Sequence, residues 1–171
     1  INLVGIIDTE ALLAMNDFSS SERALTNIYQ VSGRAGRSKK PGRVLIQTSD
    51  TDNYILEAVK HNDYLEFFDK EIEYRKTFGY PPFIDILLFE ISGKDLQGVK
   101  EDAEKMYNIL NYDNQNEYRV FSPKSPFIQK LNNRFRINVM VKARLNTKIY
   151  SKIYSKIKVF NLKKRRDTSI S

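Results

Sequence analysis

The sequence contains no cysteine and only one histidine among its 171 residues. The absence of cysteine excludes disulfides, thiolate metal sites and a cysteine nucleophile, and a single histidine cannot build a metal site unaided. No apolar run approaches the ~18–20 residues that cross a bilayer, and the amino terminus lacks the basic start of a signal peptide. We therefore predict a cytoplasmic protein with no metal site and no membrane contact.

Acidic residues are absent from one long segment of the chain. Residues 121–166 contain 14 Lys or Arg and no Asp or Glu, whereas residues 50–120 contain 16 acidic and 8 basic residues. An acid-free basic block indicates a polyanionic partner such as nucleic acid. The alternative is a solvated charged surface that balances the acidic middle of the chain.

The remaining composition is that of a soluble globular protein, with 41% hydrophobic and 29% charged residues. A chain of this length holds one large domain or two small ones. It begins without Met and within an apolar run. We therefore expect the chain to be part of a longer protein.

The first part of the chain has the pattern of an α/β layer. The apolar run at residues 3–7 predicts a buried strand of a parallel sheet, and residues 44–46 predict a second one. Between them, Ser19 and Glu22 have the spacing of a capping box at the start of an amphipathic helix. Strand, helix and strand thus follow one another.

A glycine-proline segment, Gly79-Tyr80-Pro81-Pro82, ends two further helical patterns, because proline cannot continue a helix. We place the domain boundary there, with domains at 1–78 and 79–171. Beyond it the apolar spacing predicts the order βαββαβ, which is that of a ferredoxin-like α+β domain with its helices on one face of an antiparallel sheet. The predicted strands are 84–92, 118–121, 134–143 and 168–171, and the predicted helices are 96–110 and 147–160.

The segment most informative about chemistry is Gln-Val-Ser-Gly-Arg-Ala-Gly-Arg at residues 30–37. Only small residues separate Arg34 from Arg37, so both guanidinium groups can enter one crevice. Arginine donates bidentately to phosphate and stabilises the charge that develops in phosphoryl transfer. The alternative is a glycine-rich helix end with solvated arginines.

This segment resembles motif VI of the superfamily 2 helicases, Q-x-x-G-R-x-G-R. Together with VGIIDTEALL, KPGRVLIQT, YRKTFGYPPF and PFIQKLNNRFRINVMVKA, it resembles the bacterial primosomal protein N-prime (PriA) family of replication-restart DNA helicases over nearly the whole chain. The resemblance implies the carboxy-terminal part of an ATP-dependent helicase that acts at stalled forks and in primosome assembly. Residues 1–78 would be the later part of the second RecA-like lobe, and 79–171 the family's carboxy-terminal domain.

The same resemblance implies half of an ATP site. Gln30, Gly33, Arg34 and Arg37 would bind ATP, and Arg34 or Arg37 would be the catalytic arginine finger. ATP and Mg²⁺ would be cofactors of the full-length protein, and zinc would bind upstream of this chain. The chain has no G-x-x-x-x-G-K-[ST] loop, so we expect it not to hydrolyse ATP alone.

The basic segment predicts a DNA-binding surface. In the strand at 134–143, alternate residues are apolar and predict the core, while the intervening positions are mainly polar or basic. The following helix carries a lysine at every fourth position, beside an apolar stripe. Cations of this kind supply salt-dependent affinity for phosphates. The predicted DNA-binding residues are Arg134, Arg136, Lys142, Lys148, Lys152 and Lys156.

The resemblance also implies the partners: forked and single-stranded DNA, primosome proteins and single-strand-binding proteins, bound by a monomer. A hypothesis of a different class is a non-enzymatic nucleic-acid-binding module. In that module Arg34 and Arg37 would bind phosphates of RNA or DNA instead of ATP.

Overall fold

The structure, a computed structural model, describes residues 3–7, Thr9, 19–35 and 42–171. The chain divides into two compact units, unit 1 (Ile1–Phe78) and unit 2 (Gly79–Ser171). Both units combine helices with strands, so the predicted mixed α/β class is confirmed. Within the described ranges, no helix has the length and apolar character needed to span a membrane.

Unit 1 contains a two-stranded parallel sheet together with helices. Strands β1 and β2 pair in parallel, with Leu3 opposite Arg43 and Ile6 opposite Ile46. Its elements are β1 (Leu3–Ile6), α1 (Ser20–Ser32), β2 (Arg43–Ile46), α2 (Tyr54–His61) and α3 (Tyr64–Phe78).

Helix α1 begins where the sequence predicts, but not with the predicted capping box. Ser19 is the N-cap residue, yet its side chain makes no capping hydrogen bond. Its backbone lies at φ −98° and ψ 4°, outside the extended region from which a capping side chain reaches back to the first turn. The helix is instead anchored by its apolar side, where Ala24, Leu25 and Ile28 are buried.

The buried side of α3 includes charged residues as well as an apolar one. Phe67 is buried, but Phe68 is 46% exposed, and the remaining buried positions are Glu71 and Arg75. Arg75 Nε donates to Glu71 Oε1 at 2.8 Å, and the Tyr54 hydroxyl donates to Glu71 Oε2 at 2.7 Å. These two partners satisfy the Glu71 carboxylate inside the unit, so its charge can be buried.

Unit 2 is an antiparallel sheet with the strand order β4-β6-β3-β7. A short strand, β5, also pairs with β6 through a hairpin at Asn132 and Asn133, whose φ angles of 49° and 59° suit a tight two-residue turn. The elements are β3 (Asp85–Gly93), α4 (Leu96–Asn111), β4 (Arg119–Val120), β5 (Lys130–Leu131), β6 (Arg134–Ala143), α5 (Thr147–Lys163) and β7 (Ser169–Ile170).

The core of unit 2 lies between the sheet and its two helices. On β6 the alternate residues Ile137, Val139 and Val141 are buried, as the apolar alternation predicts. They pack in one cluster with Met106 of α4 and Phe160 of α5. The intervening residues of β6 therefore leave the sheet on the face opposite the helices.

Candidate functional site

The predicted ATP-binding segment lies at the end of α1. The Gly33 N–H donates to the Tyr29 carbonyl at 2.9 Å, and the Arg34 N–H donates to the Val31 carbonyl at 3.2 Å. The chain thus turns once more after the helix ends, and Gln30 and Arg34, both exposed, lie on consecutive turns. Gly33 has a right-handed φ of −64°, so its backbone conformation does not itself demand glycine.

The structure therefore brings three of the four predicted ATP-binding residues together. Gln30, Gly33 and Arg34 share the solvent-facing end of one helix. Arg37 lies outside the described residues. Within the described part of the chain, no cluster of three or more His, Asp or Glu side chains has the arrangement of a metal site.

The six predicted DNA-binding residues do not share one face of unit 2. Arg136 and Lys142 are on the sheet face opposite the helices. The lysines at every fourth position belong to α5, which packs on the other face. The basic block of the sequence is thus divided between two sides of the sheet.

The α5 lysines bind groups of unit 2 itself. Lys148 and Lys152 reach the two carboxylate oxygens of Glu117, at 2.8 Å and 2.6 Å. These contacts lower the pKa of Glu117 to about 2. Lys156 donates to the carbonyl of Leu110 at 2.9 Å and to that of Tyr112, and so binds the carbonyl end of α4.

Two arginines of β6 also have contacts within the unit. Arg134 Nη2 donates to the Ser92 carbonyl and to the Ser169 hydroxyl, both at 2.8 Å, and so joins β6 to the edge strand β7. Arg136 Nη1 lies 3.2 Å from a carboxylate oxygen of Glu90, on the opposite strand. Charge pattern alone did not reveal these partners, which are distant along the chain.

A cationic cavity lies at the other end of β6, beside Lys142. It has a volume of about 580 Å³ and is bordered by Arg119, Lys142 and Arg144. Burial and the neighbouring Arg119 lower the pKa of Lys142. The sequence prediction missed Arg119, which lies in the acidic segment at residues 50–120 and meets Lys142 only through strand pairing.

The contacts of Glu117 predict that the stability of the fold depends on pH. Because folding lowers the pKa of Glu117 from 4.5 to about 2, its contribution to stability is complete above pH 4.5 and is lost as the pH falls toward 2. We expect Glu117→Gln to lower the melting temperature at pH 7, and the difference from the wild type to disappear near pH 2. Thermal unfolding followed by circular dichroism measures both.

The control for this effect is Glu104→Gln, which removes an exposed carboxylate of the neighbouring helix α4. It should leave the melting temperature nearly unchanged at both pH values. A Glu117→Gln difference that stays constant with pH would show that the two lysine contacts do not stabilise the ionised carboxylate.

The comparison with known proteins gives one consistent result, although no family model matches the chain. The chain is 31% identical to the replication restart protein PriA of Bacillus subtilis over 149 residues, which are 87% of this chain and 18% of that protein. It is 30% identical to PriA of Synechocystis over 83% of the chain and 17% of that protein. It is 33% identical to PriA of Rickettsia felis over 84% of the chain and 22% of that protein.

The matched region includes most of the chain in each case, while the chain spans only about a fifth of the length of these relatives. The same protein name recurs in distant bacteria, among them Borreliella burgdorferi and Chlamydia pneumoniae. The chain therefore belongs to the family of the replication restart protein PriA.

Proposed function

We propose that this chain is the carboxy-terminal part of an ATP-dependent DNA helicase that acts in replication restart at stalled forks and in primosome assembly. The observation that carries the proposal is the similarity to PriA, which covers most of a chain containing both the α1 segment and the basic unit. The whole protein would hydrolyse ATP and unwind DNA, and this chain would contribute to each activity.

Unit 1 would be the later part of a second RecA-like lobe. The parallel pairing of β1 and β2, with α1 between them in the chain, supports this interpretation. ATP would be held mainly by the other lobe together with Mg²⁺, and would supply the γ-phosphate that is transferred to water. The exposed end of α1 fits such a site, because it presents Gln30 and Arg34 to a ligand outside the unit.

The role of the arginines in this site follows from charge. In phosphoryl transfer, negative charge spreads over the oxygens of the transferred group, and a guanidinium group stabilises it. Arg34 or Arg37 would supply that group as the arginine finger. Gly33 would leave the backbone accessible beside them. Gln30, one helical turn earlier, would orient the reacting groups.

Unit 2 would be the DNA-binding domain, of ferredoxin-like fold. The order β4-β6-β3-β7, with both helices on one face, supports that fold, to which β5 adds a short hairpin strand. The acid-free segment 121–166 supports contact with phosphates. By family likeness, the partners would be forked and single-stranded DNA, primosome proteins and single-strand-binding proteins. The protein would be a cytoplasmic monomer with zinc bound elsewhere in its length.

Experiments on the 171-residue chain by itself test the proposed roles of the two units in DNA binding and ATP hydrolysis. We expect it to bind DNA without sequence preference and to show no ATP hydrolysis, because it lacks a phosphate-binding loop. The logarithm of the binding constant should fall linearly with the logarithm of salt, by about 0.9 per phosphate contact on duplex DNA and about 0.7 on single strands. Fluorescence anisotropy and a phosphate-release assay make the two measurements.

Each of the two assays has an outcome that would contradict the proposal. ATP turnover that survives repurification and disappears in Arg34→Ala would show that the chain is a complete ATPase. Binding that does not weaken with salt would show that phosphate contacts do not drive it. DNA binding by the chain, combined with normal ATPase in both the Arg34→Ala and the Arg37→Ala variants of the whole protein, would favour a nucleic-acid-binding role of this segment over a role in ATP hydrolysis.

A further inference from the structure

Two cations face each other across neighbouring strands of unit 2. Arg119 of β4 and Lys142 of β6 are register partners in antiparallel pairing, so their side chains leave the sheet side by side on one face. Like charges in this position destabilise a sheet. The pKa of Lys142 is lowered by burial and by the positive charge of Arg119, since both disfavour the protonated form of the lysine.

Aromatic rings contact both of these cations. Lys142 Nζ lies 3.7 Å from the centroid of the Tyr80 ring, and Arg119 Cζ lies 4.8 Å from that of Phe121. A cation–π contact orients and partly stabilises a cation. The rings therefore keep the two side chains beside each other at this end of the sheet.

A third cation, Arg144, completes the border of the cavity. Neither Arg119 nor Arg144 has an ion-pair partner among the residues that the structure describes. The acidic residue that lines the cavity is Glu117, and its two oxygens are bound by lysines of α5. The cavity is thus positive. Three asparagines, Asn111, Asn114 and Asn116, also line it.

We propose that the cavity bordered by Arg119, Lys142 and Arg144 binds a phosphate group of the nucleic-acid backbone. This inference rests on the proposed DNA binding by unit 2 and assigns it to a definite place. Guanidinium forks match phosphate oxygens in geometry, and a bound phosphate relieves the repulsion between Arg119 and Lys142. Contacts of this kind position the strand without reading its sequence.

The α5 lysines are less suited to this role. Lys148 and Lys152 would have to leave Glu117, and Lys156 would have to leave the end of α4, before any of them met a phosphate. Each such exchange removes a charge-assisted contact inside the unit. The cavity requires no exchange of an ion pair at Arg119 or Arg144.

A pair of double variants tests the assignment. In Arg119→Gln/Arg144→Gln, two positive charges of the cavity are removed; in the control Lys158→Gln/Lys163→Gln, two exposed charges of α5 are removed. Binding of a labelled single-stranded oligonucleotide is measured by anisotropy over a range of salt. We expect the cavity variant to bind about tenfold more weakly or worse at low salt, with its salt slope reduced by about 0.7 for each phosphate that it no longer neutralises. The control should remain close to the wild type.

The outcomes separate this inference from the proposed function. If the wild-type chain binds no oligonucleotide, DNA binding by unit 2 is wrong, and the phosphate site is wrong with it. If the wild type binds and the cavity variant binds equally well, only the cavity assignment is wrong. Arg144→Gln alone provides the same comparison if the double variant unfolds, because that side chain is exposed after the end of β6.

Inorganic phosphate distinguishes the source of the ligand. Added at constant ionic strength, it should displace the oligonucleotide from the wild type only weakly, because a backbone makes several contacts at once. Direct binding of phosphate, measured by calorimetry, to the wild type but not to the Arg144→Gln variant, with equal oligonucleotide affinity in both proteins, would assign the cavity to a free phosphate compound. That result would overturn binding of the nucleic-acid backbone.

Discussion

Replacing Arg34 or Arg37 with alanine in the whole protein is expected to lower DNA-stimulated ATP hydrolysis by about 10³–10⁵. Nucleotide affinity should change much less, because a finger arginine interacts mainly with charge that develops in the transition state. A steady-state ATPase assay gives kcat, and equilibrium binding of a fluorescent nucleotide gives affinity. The two measurements together separate a catalytic arginine from one that only holds ATP.

The control variant is Lys60→Ala, which removes an exposed cation of α2 in the same unit. It should leave kcat near the wild-type value, and the far-ultraviolet spectrum of each variant should match the wild type. Near-normal kcat in both arginine variants would remove this segment from the mechanism. Equal losses in affinity and kcat/KM would instead indicate ground-state binding of ATP.

The second large effect concerns the buried ion pair of unit 1. Replacing Arg75 with methionine is expected to lower the free energy of unfolding by about 3–5 kcal/mol, because Glu71 would remain buried without its charged partner. The side chains of Arg75 and Glu71 are 10% and 5% exposed. Urea unfolding followed by circular dichroism measures the change. The double variant Glu71→Leu/Arg75→Met should recover much of the loss, since no charge is then left buried.

The same helix provides the matched control. Lys70 and Glu66 have the same spacing and the same 2.8 Å separation, but their side chains are 50% and 30% exposed. Water screens such a pair, so Lys70→Met should cost at most about 0.5 kcal/mol. If Arg75→Met costs no more than Lys70→Met, burial does not raise the cost of breaking the pair.

The elements with regular apolar spacing were well predicted from the sequence. The prediction of a strand at 134–143 matches β6, and the predicted helix at 147–160 differs from α5 only by the extension to Lys163. Strand β5 was missed, because two residues carry no periodicity. The hairpin that forms β5 depends on positive φ angles at Asn132 and Asn133. The apolar spacing of the flanking residues does not indicate such a turn.

The partners of the charged residues were much harder to predict. The basic block was visible in the sequence, but Glu117 lies 31 and 35 residues from the two lysines that bind it. Arg119 likewise meets Lys142 only because β4 pairs with β6. Side chains that are close in space through sheet pairing leave no local signal in the sequence. The described structure therefore changes which cations of unit 2 remain available to a ligand.

The strand order of unit 2 also determines when this unit can fold on a ribosome. β3 pairs with β6 in the centre of the sheet, and α4, β4 and β5 lie between them in the chain. At a synthesis rate of about 5–20 residues per second, several seconds pass between the emergence of β3 and that of its partner. Until β6 has been made, the N–H and C=O groups along that edge of β3 have no strand with which to pair. The nascent chain thus carries an unpaired strand edge until the first part of the basic segment 121–166 has been made, and such an edge is prone to pair with other chains.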